Sequence, residues 1–467
     1  MDKKTSLILV LPLLLLISCG GVTSTKPIEK DCEYLKTFLP EVSIQFSQAV
    51  DEGFDWEPFY KELKSMYVLS SWRRFRKSPR DENGINKDAF ANGIAWAMQK
   101  TLNKKDSHMS ARGDSQGLFP FCSKFIYKSD VLFEKRADGF YVVQSNSKNI
   151  ESGMKYTGEE ECLVPEYSDG KILYRFVVFS EYLRKGKTKI NLDGKEKTIP
   201  VEWDGLQPAD SEDIFFEEKA GILTVAIKTM RPRLEKNTEA YEANVEKICK
   251  KINDYSTVVF DFRDNGGGYL ESFTPIITAM IYGDIDSVYD DRIQVVNNYL
   301  YTGKVDMLTS TVANRRILEG NMMSSFYHEH KSERYYTNPE PEEKPELSNK
   351  AFKGKIFVIT NTDTCSAAEY SLAALKYLFK DQVTQLGMKT AGMLDFGGAY
   401  TYILPDSKLK IHLCCSDLSE MMVLGQGSGW RGDTEGFYPD VWFFSGSEDN
   451  IRKYIEENSV KSAGSVR

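Results

Sequence analysis

Residues 258–270 read VVFDFRDNGGGYL, and the way the chain uses them decides the fold. The apolar run with a single Asp261 is the pattern of a strand buried on both faces, as in a parallel sheet covered by helices. Gly266, Gly267 and Gly268 end it. Glycine reaches positive φ freely and allows another group to approach the backbone. A strand that runs into three glycines and then into the helix-like YLESFTPIITAMIYG marks a βα junction built for close contact.

Working outward, the same alternation continues. Gly221–Ile227 reads as a strand, Glu235–Asn253 as a helix, KIFVIT (355–360) as a strand, then a helix beginning at Ser366, then strands near VTQLGM and TYILP. Such alternation predicts an α/β layered core over residues 213–445. The stretch 284–350 breaks the rhythm and ends in NPEPEEKPELSNK, a solvated, variable insertion. Ahead of the core, residues 31–118 read as helical. DWEPFYKELKSMYV and DAFANGIAWAMQKTL carry helical apolar spacing, with Asp55 and Asp88 as candidate caps. Residues 119–212 read as β-rich, with hairpins turning at Asp138-Gly139 and Asp193-Gly194. Residues 446–467 form a C-terminal helix and tail. A chain of 467 residues is too long for one core.

The N-terminus carries an address. Lys3 and Lys4 precede an apolar run, Leu7 to Ile17, then LISC and the polar GGVTSTKP. A membrane span needs about 20 apolar residues, so the shorter run suits a secretory signal over residues 1–18. Small residues ahead of Cys19 resemble a bacterial lipoprotein cleavage site. The expectation is an acylated Cys19, a tether over 19–30, and a body facing the periplasm from a lipid anchor in a bacterial cell envelope. The net charge of −8 with interspersed signs offers no basic stripe for nucleic acid. The eight cysteines form no C-x-x-C pair and have no histidine partners at metal spacing. Neither a disulfide framework, a metal site nor a cofactor is expected.

Chemistry concentrates in NTDTCSAAEY (361–370), a strand-to-helix junction. The first helical turn offers unpaired N–H groups and a partial positive end, so the Ala367 N–H can face an oxyanion beside a nucleophilic Ser366. The commonplace reading competes: SAAE is also a capping box in which Glu369 answers Ser366. Gly267 would supply the second oxyanion donor, each such donor being worth about 3 kcal/mol. Cys365 reads as a small apolar residue packed under the turn.

VVFDFRDNGGG, SAAE and GMKTAG, in that order, resemble the tail-specific (C-terminal-processing) serine peptidases and the related tricorn protease core. Ser366, Gly267 and the Gly387-Thr390-Gly392 turn fall on that family's motif. The resemblance implies a ClpP/crotonase-like peptidase core behind an N-terminal helical domain. The small β-rich domain would be PDZ-like, or a degenerate form that no longer binds peptide tails. One branch of the family uses a lysine just after the Thr-x-Gly turn as base. Here that place holds Met393, and Lys389, within the turn, is expected to be exposed and protonated near its usual pKa of about 10.4. The tricorn-like branch implies instead a tetrad. Ser366 attacks, His108 of LNKKDSHMSA is the base, Ser107 orients the imidazole, and Glu435 of TEGFYPD holds Ser107. His412 reads as a strand residue; His328 and His330 read as a solvated loop. The implied activity is a serine endopeptidase acting on peptides or unfolded proteins. The alternative is a catalytically silent lipoprotein on the same scaffold that binds peptide, lipid or glycan.

Overall fold

In the computed structural model, TVVFD forms the strand Thr257–Asp261, every residue of it buried. The structure describes residues 24–181, 186–206, 213–230, 238–283, 285, 287, 288, 290–308, 334–337, 345, 346, 348–425 and 427–459. Cys19 and its signal-like leader lie outside these residues, as do His328 and His330. Among the described residues, no helix is long and apolar enough to cross a membrane. The chain divides into two units: residues 1–121, 308–334 and 398–415 in the first, residues 122–307, 335–397 and 416–467 in the second.

In the first unit the expected helices form at Glu29–Val42, Ile44–Asp51, Trp56–Trp72 and Lys87–Thr101. Asp55 caps its helix as expected, accepting the Glu57 N–H at 3.0 Å. Asp88 does not. Asn86 is the cap, accepting from Ala89 at 3.0 Å, because it precedes the first helical residue and so can adopt the extended backbone that a cap requires. Asp88 is instead buried, holding the Ser115 N–H at 2.9 Å and the Ser78 hydroxyl at 2.7 Å. Gly93 lets two helices meet backbone to backbone: a Cβ there would sit 2.8 Å from the Leu63 carbonyl. Phe38, Phe59, Tyr67, Phe90, Tyr402 and Ile411 share this unit's core. The strand Ser110–Arg112 pairs antiparallel with residues 410–412.

In the second unit the strands Ile222–Ile227, Thr257–Asp261, Lys355–Thr360, Val383–Gly387 and Val441–Trp442 pair in parallel, in that order. Val258 and Phe260 face one apolar cluster, with Ile276 and Leu372. Val259 faces another, with Phe357, Trp442 and Ile451. This two-sided burial is what the unbroken apolar run requires. The helices Thr238–Lys251, Thr274–Tyr282 and Ala367–Phe379 follow the expected alternation. The β-rich segment continues the same sheet, Leu163–Ser168 pairing in parallel at Trp442 and antiparallel with Lys171–Ser180. Both hairpin turns form. Asp193 (φ 49°) and Gly194 (φ 70°) adopt the two left-handed positions that a tight hairpin turn demands. The insertion is not purely loop: Asp291–Leu300 is helical and Gly303–Leu308 is a strand.

Asp31, fully buried, anchors the first unit by accepting the N–H groups of Asp406 (3.1 Å) and Ser407 (2.9 Å). Removing it strands the buried Ser407 donor and the half-buried Asp406 donor. Asp31→Ala should lower unfolding stability by about 2–3 kcal/mol, read by urea denaturation, with Asp31→Asn recovering part of the loss; an unchanged midpoint would refute the anchoring role.

Candidate active site

Ser366 stands at the N-cap of the helix Ala367–Phe379, but with φ 55° and ψ −119°. An ordinary N-cap has β-region angles. A non-glycine residue held at positive φ costs about 1–3 kcal/mol and persists only where its surroundings dictate it. The capping box is present in outline. Its Glu369 arm is a full hydrogen bond, from the Ser366 N–H at 2.9 Å, whereas the Ser366 hydroxyl arm falls short of one.

Asn265 and Glu369 impose the conformation. Asn265 donates from Nδ2 to the Ile227 carbonyl (2.8 Å), and its own carbonyl accepts the Cys365 N–H (3.0 Å). That fixes the chain one residue before the serine. Gly267, at φ 82°, lies directly against the turn: a Cβ there would meet the Ser366 Cβ at 2.7 Å and the Ala367 nitrogen at 2.9 Å. The glycine run thus provides the close approach its sequence implies. Its N–H, however, donates to Asn265 Oδ1 at 2.9 Å, so this expected oxyanion donor is engaged within the loop. The Ala367 N–H, at the first helical position, has no intrahelical acceptor.

Glu369 is fully buried and gathers three backbone donors: Ser366, Gly392 (2.7 Å) and Met393 (2.9 Å). Burial pushes its carboxyl pKa up, while these N–H groups and the Thr390 hydroxyl pull it down; the upward push prevails. Through Gly392 the chain reaches Glu435. The Gly392 carbonyl accepts the Thr434 N–H at 2.7 Å, and Thr390 exchanges two hydrogen bonds with Phe437. Gly392 must be glycine, since a Cβ would lie 2.7 Å from the nitrogens of Thr434, Glu435 and Gly436.

Glu435 forms an ion pair with Lys124 and accepts from the Tyr438 hydroxyl at 3.1 Å. Burial works against its charge, but Lys124, Tyr438 and Lys389 outweigh it and hold the carboxyl below the usual range. It lines a groove of about 680 Å³, with Lys124, Glu161, Leu163, Phe179 and Trp442 among its walls. Lys389 departs from the sequence expectation. It is not exposed but fully buried, and its ammonium donates to Ser123 Oγ and the carbonyls of Thr390, Thr434 and Glu435 at 2.9–3.2 Å. Burial lowers its pKa to about 8 against the opposing pull of Glu369 and Glu435. The lysine pins the Glu435 loop.

Ser366, Gly267, Ala367 and Glu435 therefore lie in the second unit, joined through Glu369 and the 390–393 turn. Ser107 and His108 lie in the first. There His108 donates its backbone N–H to Asp106 Oδ1 (2.9 Å), and the same oxygen stands 3.6 Å from the ring Nδ1. Cys414 directs its thiol at that oxygen too, at 3.7 Å. The sequence reading gave the orienting role to Ser107 and did not find Cys414; its separation of 308 positions from Asp106 leaves no local signal of it. His412 is a strand residue, as expected, with its Nδ1 3.0 Å from the Thr401 hydroxyl.

Residues 221–412 match the model of Peptidase family S41. No curated protein matches the chain. Solved structures similar to it include mature CPAF complexed with lactacystin (12% identity, 92% of this chain and 97% of that one, TM-score 0.41). A photosystem II D1 C-terminal processing protease is also similar (12% identity, 85% and 90%, TM-score 0.31). So is the tricorn protease (15% identity, 86% and 36%, TM-score 0.30). At such scores these likenesses carry nothing about the site.

Lys389 generates a pH prediction. Its folded pKa of about 8 lies below the unfolded value of about 10.4. Between these the unfolded chain binds more protons, so this residue's contribution to stability rises with pH. The stability difference between wild type and Lys389→Met should move in favour of wild type by up to about 2 kcal/mol from pH 8 to pH 10. Urea midpoints at the two pH values measure it, and a difference that shrinks with pH would contradict the depressed pKa.

Proposed function

We propose that the chain is a serine peptidase, a reading supported by the match of residues 221–412 to the model of Peptidase family S41, that Ser366 is its nucleophile, and that Ser366, His108, Ser107 and Glu435 carry the reaction. The observation that supports this reading most is the backbone of Ser366. A serine that only capped a helix would have no reason to leave the β region, yet Ser366 is held at φ 55° with Gly267 pressed against it.

The chemistry is acyl transfer. The Ser366 Oγ attacks the scissile carbonyl carbon while its proton passes to the His108 imidazole. The carbonyl oxygen becomes an oxyanion, received by the Ala367 N–H at the positive end of its helix. Collapse of the tetrahedral intermediate breaks the C–N bond, and the imidazolium gives its proton to the leaving amine. Water, deprotonated by the same imidazole, then hydrolyses the Ser366 ester. Ser107 orients the imidazole and Glu435 supports Ser107. Asp106, beside Nδ1, adds charge stabilisation to the imidazolium. Gly267 supplies close packing under the serine, and contributes an oxyanion donor only if Asn265 releases its N–H.

That engaged N–H is the one observation favouring the second reading, a catalytically silent binding protein. A fluorophosphonate probe separates the two. Wild type and Cys365→Ala should be labelled and Ser366→Ala should not; His108→Ala should lose at least about a thousandfold in peptide turnover. Labelling retained by Ser366→Ala would remove it as nucleophile, and an unlabelled wild type would favour the silent binder.

We also propose that acylation of Cys19 anchors the protein in a bacterial envelope with its body facing the periplasm, on the strength of the leader LISC and its flanks. Cys19→Ser should move the protein from the detergent phase to the aqueous phase on phase partitioning; a wild type already in the aqueous phase would end the proposal.

A further inference from the structure

Three side chains of the first unit, distant in sequence, converge on one point. Asp106, His108 and Cys414 each offer a ligand atom, and these atoms lie within 4.8 Å of one another. The distances are informative. A tetrahedral ion with bonds of about 2.0–2.3 Å sets its ligands roughly 3.3–3.8 Å apart. Here the Asp106 Oδ1 stands 3.6 Å from His108 Nδ1 and 3.7 Å from Cys414 Sγ. Two edges of the polyhedron are therefore formed before any ion arrives.

A second observation points the same way. Asp106 is fully buried, yet its Oδ2 has no hydrogen-bond partner, and neither has the buried His108 Nδ1. A buried polar atom without a partner is unfavourable, and an orphaned carboxylate oxygen beside an orphaned ring nitrogen is an arrangement that a cation would satisfy. The His108 side chain retains 13% exposure, which leaves an approach from solvent. Carboxylate, imidazole and thiolate together match a borderline-soft ion such as zinc, and suit the hard calcium or magnesium poorly.

We propose that Asp106, His108 and Cys414 form a binding site for a zinc-class divalent cation, with water as fourth ligand. Binding displaces the thiol proton to solvent and uses the lone pair on Nδ1. The neutral imidazole then carries its proton on Nε2 and has no lone pair left to accept another. Resting on the base role of His108 proposed above, the site is inhibitory: the ion locks the histidine in a form unable to deprotonate Ser366.

Cobalt(II) serves as a spectroscopic probe with the full chain. Titration should produce a thiolate-to-cobalt charge-transfer band, competed away by zinc. Cys414→Ser should abolish the band, and His108→Ala should weaken cobalt binding. Cys415→Ser should keep it, because neighbouring strand residues face opposite sides. Circular dichroism checks that each variant is folded; His108, being part exposed, tests the site without touching the core. No band in wild type, or a band surviving in Cys414→Ser, overturns the site. Zinc should also suppress fluorophosphonate labelling reversibly, with chelator restoring it. A band without suppression would leave the site standing and overturn the inhibitory role, whereas suppression without a band would refute the site.

Discussion

The buried carboxylate of Glu369 is the interaction on which the candidate site depends. It receives the Ser366 N–H on one side and the Gly392 and Met393 N–H groups on the other. A fully buried carboxylate is tolerated only when it is hydrogen-bonded, and here every donor belongs to a turn that the chemistry needs. Together with Asn265 it holds the serine at positive φ, and it ties the 390–393 turn to the start of the helix. The S-x-x-E spacing is thus both a capping box and a brace. The two readings of SAAE that compete in sequence are reconciled: Glu369 caps through the backbone, and the Ser366 hydroxyl is left out of a full hydrogen bond.

Around that brace, glycines and buried polar groups do the remaining positioning. Gly267 and Gly392 each occupy places where a Cβ would come within 3 Å of backbone. Lys389 satisfies the carbonyls of the loop bearing Glu435, and its burial explains how a lysine beside the Thr-x-Gly turn serves structure. Lys124 keeps Glu435 ionised in a groove that would otherwise favour the protonated form. Each is a local arrangement of charge and donors, and together they fix the serine, its helix and the glutamate loop within one unit.

In the first unit, Asp106 does for His108 what Glu369 does for Ser366: it holds the backbone N–H, and the same oxygen stands 3.6 Å from the ring Nδ1. The difference lies in what is unsatisfied. Glu369 is saturated with donors, whereas Asp106 retains an orphaned oxygen. The same residue can therefore support an imidazolium or ligate a cation, and these uses exclude one another.

By itself the sequence determined the α/β alternation, since a strand buried on both faces needs an apolar interior and Val258, Val259 and Phe260 supply it. It also determined both hairpin turns, because Asp-Gly pairs tolerate the required backbone angles, and the motif glycines, because only glycine fits where backbones touch. It marked Ser366 through the spacing to Glu369. Tertiary structure alone decided the state of Lys389, since burial depends on what packs over a side chain and not on its neighbours in the chain. It decided that Asn86 and not Asp88 caps a helix, that the Gly267 N–H is taken by Asn265, and that Cys414 meets Asp106 and His108. The Cys414–Asp106 contact joins positions 308 residues apart, which no periodicity encodes, and the cap and the Asn265 bond, though local, turn on which of several suitable side chains the folded backbone admits.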